Sequence, residues 1–207
     1  MPCPQCEAIE DVFDAESAEK ERRAFLKDGP DKQEQLLISA LLQEGVQDAS
    51  LIDIGGGVGA LPVALLEAGA SQATAVEAST GYITSSRKLM DARNLADRVR
   101  YEHGDFVEIA PTLEPADIVT LVRSVCCYPD MQGLVGLSSE RARRLYGLIY
   151  PRDTWWLRSA FRIAQPFFQF FWRTSFQFFV HPTEEVEAII HSKGFKRRFY
   201  KTSGIWQ

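Results

Sequence analysis

Histidine is scarce in this chain, with three in 207 residues, at positions 103, 181 and 191. Any step that needs a general base near neutral pH therefore has few candidates. Cysteine is nearly as rare, with four. So few in a chain this long make no disulfide framework, and they place the protein by default in a reducing cytoplasm. Cys3 and Cys6 have the spacing of a zinc or redox pair, but no second pair follows and no thioredoxin-like context surrounds them, so no metal is expected. No apolar run is long enough to span a bilayer, and the acidic opening "MPCPQCEAIEDVFDAESAEK" lacks the apolar core of a signal peptide. Internal repeats and low-complexity tracts are absent.

What is present begins with an uneven charge. The formal net charge is −5, but residues 1–50 sum to −7, residues 51–140 to −6 and residues 141–207 to +8. An acidic body with a basic C-terminal third argues against a general nucleic-acid binder. It leaves room for an anionic substrate or an anionic membrane surface near the C-terminal part. With 45% hydrophobic and 25% charged side chains, the composition is that of one soluble globular domain with a sizeable core.

Beyond residue 49, short apolar runs alternate with helix-length segments. "SLIDI", "QATAVEA", "VRYEHGD", "DIVTLVRS" and "ARRLYGLIYP" read as strands, and helical patterns separate them, including a polar-and-small one around 130–140. Near-continuously apolar strands alternating with helices predict an α/β fold, a mostly parallel sheet covered on both faces. Residues 183–193 read as a further helix with Thr183 as N-cap and Gly194 as C-cap. "FKRRFYKTSGIWQ" then offers a strand and the start of a second, an antiparallel C-terminal hairpin. The chain ends inside that last run, which reads as a short final strand or a shortened chain. Ahead of the sheet, residues 7–45 predict two helices broken at "KDGPD", either capping a cleft or packed on the sheet edge.

The stretch "LIDIGGGVGALPVALLEAGA", residues 51–70, places a glycine-rich turn between a strand and a helix. Read as G-x-G-x-x-A, Gly55, Gly57 and Ala60 fit a dinucleotide fingerprint. Read as D-x-G-x-G-x-G, Asp53, Gly55, Gly57 and Gly59 fit with nothing missing. A pyrophosphate at a helix N-terminus is ill served by an adjacent carboxylate, whereas a ligand bearing an ammonium is well served by one. At this point the sequence resembles the class I S-adenosylmethionine-dependent methyltransferases, over about residues 50–200.

The resemblance implies a Rossmann-like methyltransferase sheet and S-adenosyl-L-methionine as cofactor. It implies that Asp53, Gly55, Gly56, Gly57 and Gly59 hold the amino-acid end of that cofactor. Glu77, followed by Ala78, ends the second strand where the family receives the ribose hydroxyls. Gly104, Asp105 and Phe106 follow the third strand, where an acid takes the adenine amino group and its neighbour packs on the ring. Tyr82 adds a wall to the adenine or ribose pocket, and Arg123 lies near the methionine part. The organisation expected is an N-terminal helical cap (1–48), a cofactor-binding core (49–150), an aromatic substrate or lid insertion (151–182) and a C-terminal helix and hairpin (183–207), all in one domain.

Substrate is expected outside the carboxyl ends of the fourth and fifth strands. Methyl transfer is an in-line displacement, in which the protein supplies proximity and alignment, and a base is needed only for a protonated nucleophile. His181 and Tyr128 are the candidates for a catalytic role, with packing in the loop network as the plain alternative. Cys126 and Cys127 read as buried small residues rather than a nucleophile.

Residues 155–179, "WWLRSAFRIAQPFFQFFWRTSFQFF", hold 11 of the 23 aromatic residues. They predict two short helices broken near Pro166, with an apolar face and arginines opposite. Three roles fit: a wall of a wide apolar pocket, an interfacial segment touching anionic lipid, or a homodimer interface. The layout of "YPDM" and, after the insertion, "HPTEEVEAIIHSKGF" is similar to that of the magnesium-protoporphyrin O-methyltransferases. That similarity implies a flat, carboxylated, tetrapyrrole-like substrate as one option for a small hydrophobic molecule. The rival readings are an NAD(P)-dependent oxidoreductase using the same loop, against which Asp53 speaks, and a non-catalytic S-adenosylmethionine-binding module.

Overall fold

The computed structural model describes residues 4–207, apart from the side chains of Pro4, Cys6, Glu7 and Trp172, so the Cys3 and Cys6 thiols lie outside it. Five strands form the sheet: β1 (Ser50–Ile54), β2 (Gln72–Glu77), β3 (Val99–His103), β4 (Ala116–Val122) and β5 (Ala142–Ile149). They lie in the order β3-β2-β1-β4-β5, and every pairing is parallel. The order changes direction between β1 and β4, so the carboxyl ends of these two strands flank a crevice.

The helices of the N-terminal segment are α1 (Pro4–Val12), α2 (Ala15–Asp28) and α3 (Lys32–Gln43). Those of the core are α4 (Ala60–Glu67), α5 (Thr80–Ala92), the single turn α6 (Phe106–Ile109) and α7 (Met131–Glu140). The C-terminal part adds α8 (Trp155–Trp172) and α9 (Thr183–Ser192). Successive strand residues point to opposite faces, which divides the core in two. Leu51, Ala73, Ile118 and Ile149 join α2, α3, α4 and α5 on one face. Ile52, Ile54, Val76, Val119 and Leu121 meet α7 and α9 on the other.

Four expectations are corrected. The N-terminal segment makes three helices rather than two, because Asp14 accepts the amide of Ser17 at 2.8 Å and starts a new helix after Val12. The break at "KDGPD" stands, with Gly29 at φ 76° and a capping box between Asp31 and Glu34. The aromatic insertion carries one helix, α8, running through Pro166. Leu157, Phe161 and Phe168 lie on one face of it, on both sides of the proline. Gln165 anchors its middle by donating to the Phe176 carbonyl at 2.7 Å. Packing on both sides of the break outweighs the one lost backbone bond.

The antiparallel C-terminal strand does not form. Among the described residues the sheet is wholly parallel, and residues 195–207 contribute only isolated bridges, Pro151 with Trp206 and Ser203 with Trp206. Three consecutive cations, Lys196 to Arg198, leave that segment without an apolar face to lay against the protein, and Phe199 and Tyr200 stay about half exposed. At α9, Pro182 rather than Thr183 holds the N-cap position and Lys193 the C-cap, with Gly194 at φ 87° just beyond. No described helix is long and apolar enough to cross a membrane.

Candidate functional site

The glycine turn follows β1 because Gly55 and Gly57 take φ of 60° and 61°, a region that side chains disfavour. Gly56 is required for a different reason: a Cβ there would overlap the Asp53 carboxylate. Asp53 lies in register with Thr120 of β4, whose hydroxyl donates to Asp53 Oδ1 at 2.6 Å. The carboxyl is 2% exposed, and burial pushes its pKa up to about 7, with the nearby Glu34 adding to the rise against the Thr120 bond. It sits beneath the loop as a brace, while Gly55, Gly56 and Gly57 face a cavity of about 180 Å³.

That cavity gathers most of the residues singled out in the sequence. Glu77, Ala78, Tyr82, Gly104, Asp105, Phe106, Arg123 and Tyr128 all line it. Glu77 Oε1 accepts the amides of Ala78 at 2.9 Å and Ser79 at 3.1 Å, which fixes the carboxyl at the end of β2. Burial pushes Glu77 up to about 7, despite those amides and that of Gly57. Asp105 caps α6 by accepting from Val107 at 2.9 Å, and Phe106 beside it is buried. Arg123 stands at the end of β4 with φ 59°, paired with Asp31, 4.0 Å from Glu34 and stacked over Trp206. Gly59, at φ 90°, starts α4 and lies outside the cavity wall.

Four lining residues come from the N-terminal segment, for which the sequence left a cleft cap and a sheet-edge packing equally open: Ile9, Phe13, Glu21 and Glu34. Glu21 accepts the Tyr82 hydroxyl at 2.9 Å, and Phe13 meets the Tyr82 ring edge-on at 6.0 Å. The Tyr82 hydroxyl is held protonated by burial and then by Glu21. Burial also raises Glu34. Ser124, next to Arg123 at the end of β4, also lines the cavity, and its buried hydroxyl has no hydrogen-bond partner among the described residues.

A wall of apolar residues, a fixed carboxyl at one strand end, a second at the next and a glycine turn open to the space match a nucleoside that carries an amino-acid tail. The raised Glu77 and the Ser124 hydroxyl leave hydrogen-bonding capacity free at this wall. Residues 51–145 match the family model described as a methyltransferase domain. Over these residues the chain is thus similar to the methyltransferase domains. No curated protein matches the chain. Among solved structures it is similar to magnesium protoporphyrin IX methyltransferase from Synechocystis PCC 6803, at 18% identity over 95% of this chain and 92% of that one, with a TM-score of 0.72. It is also similar to an O-methyltransferase family protein from Burkholderia thailandensis (16% identity, 95% and 59% covered, TM-score 0.65). Geranyl diphosphate C-methyltransferase from Streptomyces coelicolor A3(2) aligns at 17% identity over 84% and 64%, with a TM-score of 0.60. At these identities the likeness is one of fold.

Of the two candidate bases, Tyr128 lines the cavity and His181 does not. The Tyr128 hydroxyl donates to the Asp105 carboxylate, 2.8 Å from both oxygens. His181 Nε2 lies 3.1 Å from the Val125 carbonyl and 2.9 Å from that of Tyr128, so this nitrogen carries the proton and donates. The ring stacks on Phe179 and is absent from the cavity wall; burial lowers its pKa against the pull of the two carbonyls. His181 thus ties down the 125–128 loop. Cys127 lines the cavity, and the Cys126 thiol followed by burial pushes its pKa well up, which opposes a thiolate. His103 bonds the Ala78 carbonyl at 3.1 Å and His191 lies exposed on α9. None of the described side chains of residues 155–179 lines this cavity; Phe176 meets Phe13 at 5.5 Å, so the insertion lies one layer out.

Proposed function

We propose that the protein transfers the methyl group of S-adenosyl-L-methionine to a small, hydrophobic molecule through an oxygen that arrives already ionised, a carboxylate being the favoured case. The observation that carries this reading is the convergence of Gly55–Gly57, Glu77, Asp105 and Phe106 on one cavity. In this reading Asp53 and the glycine turn, with Gly59 shaping its exit into α4, serve the amino-acid tail. Glu77 and Ala78 serve the ribose, and Tyr82, Gly104, Asp105 and Phe106 the adenine. Arg123 stands near the methionine end. When bound, the cofactor supplies an electrophilic methyl on a sulfonium.

The substrate class follows from what the loop residues do. Tyr128 and His181 both donate hydrogen bonds through the atoms described, so they serve as positioning residues. A carboxylate, with its ordinary pKa near ~4, needs no base at neutral pH and only alignment with the methyl carbon. Magnesium protoporphyrin IX, after which the similar Synechocystis methyltransferase is named, is one candidate to test, since the likeness of fold covers nearly the whole of both chains. The cap, core, insertion and C-terminal segments then act as one domain in the cytoplasm, on a small molecule rather than a nucleic acid.

Calorimetric titration with S-adenosylhomocysteine, with NADH in parallel, tests the cofactor assignment. Micromolar binding of the first and none of the second is expected; the reverse removes the reading. Incubation with labelled S-adenosylmethionine and a panel of flat carboxylic acids, against the matching alcohols, then tests the substrate class. Labelling of the alcohols alone would sink the carboxylate assignment.

A further inference from the structure

The helix α8 is two-faced in an unusual sense: both of its apolar sides are large, and only one is covered. Leu157, Phe161, Gln165 and Phe168, spaced by four, four and three, turn inward. There Leu157 is buried, Phe161 and Phe168 each meet Phe178 at 5.7 Å, and Gln165 takes the Phe178 amide at 3.1 Å. Trp156, Ile163, Phe167, Phe170 and Phe171 form the opposite row, and nothing among the described residues covers it. Phe170 is 78% exposed and Phe167 63%. A contiguous aromatic surface of this kind on a folded chain marks a docking site.

The charge around the row selects the occupant. The helix contains no acidic residue, while Arg158 and Arg162 lie one turn apart on its flank and Arg173 follows its last turn. Arg158 shares its charge with Asp153 at 3.0 Å; Arg162 and Arg173 are exposed. A second copy packed face to face would set the arginine flank against its own counterpart, with no carboxylate on the helix to answer it. An anionic bilayer surface satisfies both features at once, taking the aromatic row into the acyl boundary and the arginines at the headgroups. We infer that α8 docks the protein on anionic lipid, lying in the plane of the surface.

The inference stands apart from the methyl-transfer reading, and its test needs no catalytic readout. The full chain is sedimented with vesicles of phosphatidylcholine and with vesicles containing a minority of phosphatidylglycerol. Binding to the anionic vesicles that weakens as salt is raised is expected. The double variant Phe167→Ser/Phe170→Ser is expected to lose at least about tenfold in partitioning, and Arg162→Gln about fivefold. Circular dichroism of each variant separates lost docking from lost folding, and Arg162→Gln, at an exposed position, serves if the double variant is impaired. Absence of binding by the native chain, indifference to lipid charge, or an unchanged double variant overturns the inference. So does a dimer in sedimentation velocity that the double variant dissociates while the native chain ignores vesicles.

Discussion

Tyr128 and Asp105 face each other across the cavity mouth with the phenol oxygen 2.8 Å from both carboxylate oxygens. Tyr128 belongs to the loop after β4 and Asp105 caps α6, so the bond joins the carboxyl ends of β4 and β3. A hydroxyl that donates to a carboxylate orders it; it does not accept a proton. Tyr128→Phe is expected to fold, to lose about 1 kcal/mol of stability, and to raise the KM for cofactor with a less than about tenfold fall in kcat. A fall in kcat alone, with a changed pH profile, would make Tyr128 a base instead.

The two acids at about 7 give a pH dependence with a defined sign. Asp53 and Glu77 are raised above their unfolded values by burial, so their neutral forms favour folding. Without ligand, their contribution to stability is whole at low pH and is lost as the pH rises through about 7. A ligand that donates hydroxyls and brings a cation favours their ionised forms, so affinity should rise between pH 6 and pH 8 and binding should release protons. Calorimetry in buffers of different ionisation enthalpy measures that release. Glu77→Gln should diminish it; proton uptake would contradict the assignment.

Gly81 lies against the backbone between α1 and α2, and a Cβ there would come 2.7 Å from the Ala15 nitrogen. Beside it, Ser79 donates to the Phe13 carbonyl at 2.6 Å, and Thr80 bonds Glu10. Gly81→Ala is therefore expected to push the N-terminal segment away from α5, and with it the Ile9, Phe13 and Glu21 part of the cavity wall. Faster amide exchange over residues 4–28, with several-fold weaker cofactor binding, would register this. Unchanged exchange would mean that α5 yields instead.

Glu21 and Tyr82 give a cleaner test of the roof itself. Their 2.9 Å bond is half-buried, so a double-mutant cycle with Glu21→Gln and Tyr82→Phe should return a coupling of about 1 kcal/mol in stability. A coupling near zero would mean the pair contributes nothing to closing the cleft.

The strand ends of the site were legible because backbone demands show in sequence. An acid before a glycine turn, and acids closing the second and third strands, need only chain order to be found. Glu21 and Glu34 were legible in principle and missed. Glu21, itself exposed, falls three residues after the buried Ala18 and four before the buried Phe25 of α2, and the half-buried Glu34 falls likewise before Leu37 and Ile38. An acid at helical spacing from core residues is the signal, since such a row is otherwise apolar. Pro166 misled because helix rules are local, whereas the packing of Phe161 and Phe168 is not. Tyr128 and His181 carried no sign of their partners, which come from segments 23 and 53 or more residues away.

The missing C-terminal strand has a consequence for how copies of the protein meet. With no further strand laid on it, β5 ends the sheet in a row of peptide groups, bordered by a hollow of about 850 Å³. Such a border invites the border of another molecule. Here Arg144, Lys196, Arg197, Arg198 and Lys201 ring it. Arg197 is paired with Glu187 and Arg144 bonds the Glu44 and Gly45 carbonyls, so a second copy offering the same edge would bring like charge against like charge.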